Sequence, residues 1–277
     1  MPEPRLDEVG YWSEIKLEIL RKYAKAYTTI LQRQAPIRGY LYIDGFAGAG
    51  VHISRDTGQF IPGSPLNALL VRPPFTEYHF IDLDGGRAES LRELAKGREN
   101  VFVHEGDCNT ILLDRVLPRA QYSDYRRGLC LLDPYGLHLK WEVLQVAGQM
   151  QSIEVLVNFP LMDMNMNVLW RDPGRVGEAQ AGRMDGFWGD RSWRDAAYKK
   201  TRGLFGTMEE KAGSLPIVRS FCERLKKVAG FAYVADPLPM RNSKAGVVYY
   251  LLFASPNKTG HGILTDIFNS YRNKGIA

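Results

Sequence analysis

Tyr40-Leu41-Tyr42-Ile43-Asp44-Gly45-Phe46-Ala47-Gly48-Ala49-Gly50 reads as a strand that stops at an acidic residue and opens onto a glycine loop. Short apolar runs closed by glycine are typical of buried strands in a parallel sheet. Glycine permits φ > 0 and lets a ligand come close to the backbone. In an open α/β sheet, ligands collect beyond the carboxyl ends of the strands. The loop 45–50 is therefore the expected seat of a cofactor.

Before this stretch, Ile15, Ile19, Leu20, Tyr23, Tyr27, Ile30 and Leu31 recur at helical spacing opposite a lysine-rich face. They predict a helix over 14–34, with Ser13 as its cap and Pro36 beyond its end. After it, residues 51–63 read as a loop containing His52, Arg55 and Asp56, and Ser64-Pro65 opens a helix to about 71. A second strand, 78–81, ends in Asp82-Leu83-Asp84. A third, 101–103, leads to Glu105-Gly106-Asp107. A fourth, 129–132, runs into Asp133-Pro134-Tyr135-Gly136, and a fifth, 153–157, ends at Asn158-Phe159-Pro160. Helical segments at 86–96, 109–117 and 141–149 separate them. This alternation predicts an α/β fold with a doubly wound, mostly parallel sheet.

Residues 163–213 break the rhythm and read as a helical or irregular insertion for substrate or partner contact. Helical spacing returns with Ile217, Phe221, Leu225 and Val228. Runs at 231–235 and 247–253 read as an antiparallel pair joined by a loop, and a last helix carries Ile263, Leu264, Ile267, Phe268 and Tyr271. The main domain is thus 1–162 with 214–277.

Hydrophobic content of 45% and charged content of 24% over 277 residues match an ordinary globular chain. No apolar run is long enough to span a bilayer, and the first residues lack a signal-peptide core. Cys108, Cys130 and Cys222 are scattered, which fits a reducing compartment and gives no metal spacing. The expectation is a cytoplasmic protein with no membrane or metal partner. Of the net charge of +5, most falls between 163 and 230, where 13 Lys/Arg face 9 Asp/Glu. Trp170, Trp188 and Trp193 lie there too. Basic side chains meeting phosphates and aromatics stacking on bases would suit RNA or DNA. The candidates are Arg171, Arg175, Arg183, Arg191, Arg194, Lys199, Lys200 and Arg202.

Two cofactor patterns compete at the glycine loop. The hydride-transfer fingerprint is Gly-x-Gly-x-x-Gly with an acidic residue about 20 positions on. Here the order is Gly45-x-x-Gly48-x-Gly50, and the acidic pair at 82 and 84 comes 38 or more residues after Asp44. The pattern instead resembles the S-adenosylmethionine-dependent methyltransferases of class I, whose sheet has seven strands. That resemblance implies that Asp44, Gly45, Phe46, Gly48 and Gly50 hold the methionine end of S-adenosylmethionine. It implies Asp82 on the ribose hydroxyls, with Asp84 as the fallback, and Asp107 on the adenine amine. Each carboxylate is an acceptor facing a donor edge of the ligand. One departure is the stretch of about 13 residues between the glycines and Ser64. It removes the helix start from the loop, and either folds over the cofactor or helps to bind substrate.

A closer resemblance rests on Ile43 to Gly50, Gly63-Ser64-Pro65-Leu66, Phe80-Ile81-Asp82-Leu83-Asp84, Leu132-Asp133-Pro134-Tyr135-Gly136-Leu137 and Asn158-Phe159-Pro160-Leu161-Met162. With the Lys16-Leu17-Glu18-Ile19-Leu20 helix, these look like the three-Cys-motif partner proteins. That family is named for genomic association with a radical-type partner bearing three cysteines.

Asp133-Pro134-Tyr135 carries the substrate reading. Amino methyltransferases that act on bases use Asp/Asn-Pro-Pro-Tyr/Phe at this point, and Asp-Pro-Tyr-Gly is similar to the Asp-Pro-Phe-Gly of tRNA guanine N2-dimethyltransferases. The resemblance implies that Asp133 orients an exocyclic amine, Pro134 presents its carbonyl and Tyr135 stacks on an extruded base. Gly136 and Asn158 join the substrate set with Arg191, Lys199, Lys200 and Arg202, Asn158 reading equally as a strand-terminating cap. His52 and His138 read as surface residues, and the cysteines as core. The leading expectation is an N-methyltransferase acting on a nucleic-acid base. The alternatives are a non-catalytic cofactor-binding partner of a radical-type three-Cys enzyme and a small-molecule methyltransferase.

Overall fold

The computed structural model describes residues 8–9, 11–54, 58–203, 206–242 and 246–274, with side chains omitted at 8, 9, 54, 200–203 and 206–208. Five parallel strands form the body of the sheet: β1 (Gly39–Asp44), β2 (Glu77–Asp82), β3 (Val101–Glu105), β4 (Arg126–Leu132) and β5 (Ile153–Phe159). Three further strands are β6 (Tyr233–Val234), β7 (Leu238–Arg241) and β8 (Val247–Ser255). The spatial order is β3-β2-β1-β4-β5-β8-β6, with β7 paired to β8, and β8 runs antiparallel to β5. This is the class I methyltransferase strand order with one strand added. Pro237 and Pro239 make 236–242 read as a loop, yet Leu238–Arg241 pairs with β8. Proline is tolerated on such an edge strand.

The register brings the acidic residues to the same end of the sheet, staggered by two positions from strand to strand. Asp44 lies opposite Phe80 and Leu131, and Asp82 opposite Glu105. The chain's walk across the sheet reverses between β1 and β4, so the switch point lies where the loops after Asp44 and Leu132 meet.

Alternation of side chains along β1 splits the core in two. Tyr40 and Tyr42 face one layer, built on α1 (Tyr11–Gln32), α2 (Ser64–Leu70), α3 (Gly85–Leu94) and α10 (Lys258–Asn273). Leu41 and Ile43 face the other. That layer holds α4 (Cys108–Ile111) with its π and 3-10 continuation to Ala120, α5 (Trp141–Gln149) and α9 (Ser214–Lys227). Ser13 is not a cap, because α1 already begins at Tyr11, and Gly63 rather than Ser64 caps α2. The stretch after the glycines is a small sheet: Val51–Ser54 pairs with Phe60–Pro62 and with Glu8–Val9. Arg55 and Asp56 lie outside the described residues.

The region 163–213 is more ordered than its sequence pattern. It contains most of α6 (Leu161–Asn167), then α7 (Glu178–Trp188), α8 (Trp193–Ala197) and a hairpin of Tyr198–Gly203 with Gly206–Lys211. Met184, Phe187, Trp188, Trp193 and Tyr198 are buried in the same core as Phe159 and Phe221. Phe187 stacks on Phe221 at 5.2 Å between centroids, and Trp188 Nε1 donates to Ser192 Oγ at 3.0 Å. Full burial of such rings stabilises by about 2–3 kcal/mol each. Trp188 and Trp193 are therefore core residues and present no face to a base, whereas Trp170 is 40% exposed.

Candidate active site

Two adjoining cavities open at the carboxyl ends of the strands, and Phe46 and Tyr135 line both. The first, about 420 Å³, is lined by Gly45, Asp82, Leu83, Asp84, Arg87, Gly106, Asp107, Cys108 and His138 as well. The second, about 510 Å³, adds Lys16, Gly48, His52, Ser64, Asp133, Pro134, Asn158 and Tyr249 among others. Loops after four different strands thus converge on one double cleft, at the switch point.

Gly48 and Gly50 have φ of +65° and +82°, which side chains rarely adopt. These turns bring the Gly48 amide onto Asp82 Oδ2 at 2.8 Å. Asp82 Oδ1 accepts from the Asp84 amide at 2.9 Å. Each Asp82 oxygen keeps a second lone pair for a ligand in the first cavity. Asp84 caps α3 by accepting from the Arg87 amide at 2.9 Å. Asp107 caps α4, accepting from the Thr110 amide and hydroxyl at 3.0 Å each. Burial works upward on Asp107, but the bonds from Thr110 and Asn109 outweigh it and hold the carboxyl below its ordinary value.

Asp44 is fully buried and lines neither cavity. It takes a weak bond from the Phe46 amide at 3.4 Å and one from the Tyr42 hydroxyl at 3.3 Å, and Ser64 bonds to it as well. Burial pushes its carboxyl up to about 7, against the Ser64 bond and with the Asp133 charge adding to the rise. Its place is under the glycine loop, supporting it. Gly50 likewise lines neither cavity.

In the second cavity Asn158 Nδ2 donates to Asp133 Oδ1 at 2.7 Å. Lys16, from α1, forms an ion pair with Asp133 Oδ2. Lys16 is only 8% exposed, and its ammonium lies 5.6 Å from the Tyr249 ring centroid. Burial alone would lower the Lys16 pKa, but the Asp133 charge and hydrogen bond raise it, so the side chain is a cation. Asn158 Oδ1 is buried and has no hydrogen-bond partner among the described residues. Tyr135 is 57% exposed at the junction of the cavities, with the Arg87 guanidinium 5.5 Å from its ring centroid.

Several expected residues fall elsewhere. Gly136 lines neither cavity; it takes φ of +73° beside Asp163. Arg191 is held by Glu178 at 2.6 Å and Asp185 at 3.0 Å, and neither it nor Lys199 lines a cavity. Arg175 and Arg183 are paired with Asp172 and Asp163. The side chains of Lys200 and Arg202 lie outside the described residues. His52 and His138, read as surface residues, line the second and first cavities. Lys16 and Tyr249 line the second cavity although the sequence pattern does not single them out. For Lys16 a signal existed: it lies three and four positions before Ile19 and Leu20, on the apolar stripe of α1.

Among the described residues no helix is long and apolar enough to cross a membrane. No family model and no curated protein matches the sequence. Among solved structures, the chain is similar to a Legionella pneumophila protein carrying the family label DUF519, at TM-score 0.52 and 12% identity over 94% of both chains. Weaker likenesses join it to CurJ carbon methyltransferase (TM-score 0.42, 14% identity, 86% of this chain and 54% of that one). A protein from Thermobifida fusca proposed to be a methyltransferase follows (TM-score 0.40, 16% identity, 86% and 80%). The first likeness bears on the fold alone; the other two are too slight to argue from.

Proposed function

We propose that the protein is an S-adenosylmethionine-dependent N-methyltransferase whose acceptor is an exocyclic amine of a nucleic-acid base. The observation that carries this reading is the position of Asp133-Pro134-Tyr135 in the second cavity, with Tyr135 also lining the first.

The first cavity suits the cofactor. Its volume lies in the range of small-molecule sites, and its carboxylates offer acceptors at separate points. Asp82 and Asp84 would receive ribose hydroxyls and Asp107 the adenine amine, while Gly45 and Phe46 would face the methionine end. When bound, the cofactor supplies an electrophilic methyl group. The second cavity would take the base. An aromatic amine is a poor nucleophile because its lone pair is delocalised into the ring. Asp133 and the Pro134 carbonyl would each accept one amine hydrogen and favour a more tetrahedral nitrogen. Asn158 Oδ1 offers a further buried acceptor, and the exposed Tyr135 ring a stacking face. The product ammonium can lose its proton to water, so no separate base is needed. Arg171 and Trp170, both exposed, are candidates in the insertion for a flanking strand.

A second reading has one observation in its favour. Both Asp133 oxygens already have protein partners, Lys16 and Asn158, as in a site that has lost its substrate. The chain would then be a non-catalytic, cofactor-binding partner of a radical-type three-Cys enzyme. Tritiated-methyl transfer by purified protein into pooled RNA, DNA and metabolite fractions separates the readings. Label in polynucleotide, with binding that weakens steeply in salt, supports the first. Label only in metabolites, or none despite calorimetric cofactor binding, overturns it.

A further inference from the structure

Lys16 has no place in the logic of strand ends, since it arrives from a helix more than 100 residues away in sequence from the aspartate it holds. A buried ammonium is expensive to desolvate and persists where it is paired. The docking of α1 does not need it: Ile15, Ile19, Leu20, Tyr23 and Tyr27 already bury that face. Moreover, Lys16 meets Asp133 in the wall of the second cavity, beside Pro134, Tyr135 and Asn158, rather than deep in a packed layer.

We propose that Lys16 is a positioning residue, which together with Asn158 fixes the Asp133 carboxylate as a pure hydrogen-bond acceptor for the substrate amine. This rests on the methyltransferase reading. The physical need arises from Asp44. The Asp133 charge is felt by a second carboxylate, Asp44, which is fully buried. Like charges in a shared low-dielectric site tend to retain a proton between them. A proton on Asp133 would turn an acceptor into a donor facing an N–H, which abolishes the interaction. The groups facing Asp133 are Lys16 from α1, Asp44 from β1, Asn158 from β5 and Tyr249 from β8, with His52 and Ser64 in the same cavity. Burial pushes Tyr249 up to about 12, so it stays neutral. Lys16 is the one permanent cation among the described residues lining that cavity.

The test compares wild type with Lys16→Met and Lys16→Arg. Carboxyl-carbon NMR, assigned with Asp44→Asn and Asp133→Asn, follows proton uptake by the aspartate pair, and methyl transfer is measured from pH 5 to 9. In Lys16→Met the pair should take up its first proton at least one pH unit higher than in wild type. The acid limb of the rate profile should move with it, giving about a tenfold lower kcat on that limb at unchanged cofactor KM, and Lys16→Arg should restore both. A loss of rate that is uniform across pH, with no change in proton uptake, makes Lys16 a mere latch for α1 and overturns the proposal. Should Lys16→Met fold poorly, Lys16→Gln gives the same comparison. A wild-type protein that transfers no methyl group but shows the shift in proton uptake overturns the methyltransferase reading alone. Lys16 would then still be shown to hold Asp133.

Discussion

Two buried acidic clusters lie at opposite ends of the same sheet, and they are built on opposite principles. At the amino ends of the strands Glu77 is surrounded by donors. Arg119 and Arg126 bind its two oxygens, the latter at 2.5 Å, and His79 Nε2 lies 2.6 Å away. Burial pushes Glu77 upward, yet these bonds outweigh it and bring its carboxyl down to about 2. At the carboxyl ends Asp44 is more deeply buried and has weaker bonds, and it rises to about 7. Beside Asp133, Asn158 keeps an acceptor without a partner among the described residues. A saturated carboxylate fastens strands, whereas an under-satisfied cluster retains capacity for a ligand. For Glu77 and Asp44, the two ends of the sheet differ in how far the carboxylate is satisfied.

The largest expected effect separates the two ends by activity. Asp133→Ala should lower methyl transfer by about 10²–10³-fold, the size seen when one preorganised polar contact to a transition state is removed. Cofactor affinity by calorimetry should be retained. Turnover within threefold of wild type would erase the functional side of the contrast.

Glu77→Gln should do the reverse. Removing the carboxylate strands two guanidinium groups that are partly exposed, so the loss in unfolding free energy should be about 3 kcal/mol, below the extreme for fully buried pairs. Cofactor affinity should not change. The Glu77 contribution is present above its unfolded value of 4.5 and fades as pH falls towards 2. Denaturant titrations at pH 7 and pH 3 should therefore show a smaller deficit for the variant at pH 3.

Asp44 should give the opposite pH sign. Its folded carboxyl, raised from 3.8 to about 7, binds a proton more tightly than the unfolded chain does. Stability should fall as pH rises through that window, because the native state holds the extra proton. Asp44→Asn should flatten the fall and leave the variant roughly 3 kcal/mol more stable relative to wild type at pH 7 than at pH 4. Parallel curves would place Asp44 with the saturated carboxylates.

Sequence made the carboxyl-end carboxylates legible because the first four parallel strands each run into one, and a short apolar run has a visible last residue. It hid their partners. Lys16 reaches Asp133 across the tertiary fold, and a count of apolar positions in α1 treats one lysine as noise. It also hid Glu77, which opens β2 one residue before the apolar run that marks that strand. The insertion misled for a different reason: Trp188 and Trp193 are amphipathic, and their indole N–H groups donate to Ser192 and Asp185 at the edge of the core. Aromatic residues amid charges look the same in a sequence whether they face solvent or each other.

Asp82 stands between the two classes, and so gives the finest test. It is buried like Glu77, and both its oxygens accept from main-chain amides, yet it lines the first cavity. If its spare lone pairs receive ribose hydroxyls, Asp82→Ala should weaken cofactor binding by about tenfold, or about 1.4 kcal/mol. A cofactor analogue lacking both ribose hydroxyls should then bind wild type and variant alike, because the lost interaction is absent from each. If Asp82 only fastens the Gly48 turn, the variant should lose affinity equally for cofactor and analogue, since the misplaced loop affects both. Paired calorimetry on the two ligands decides whether Asp82 belongs with the fastening carboxylates or with the working ones.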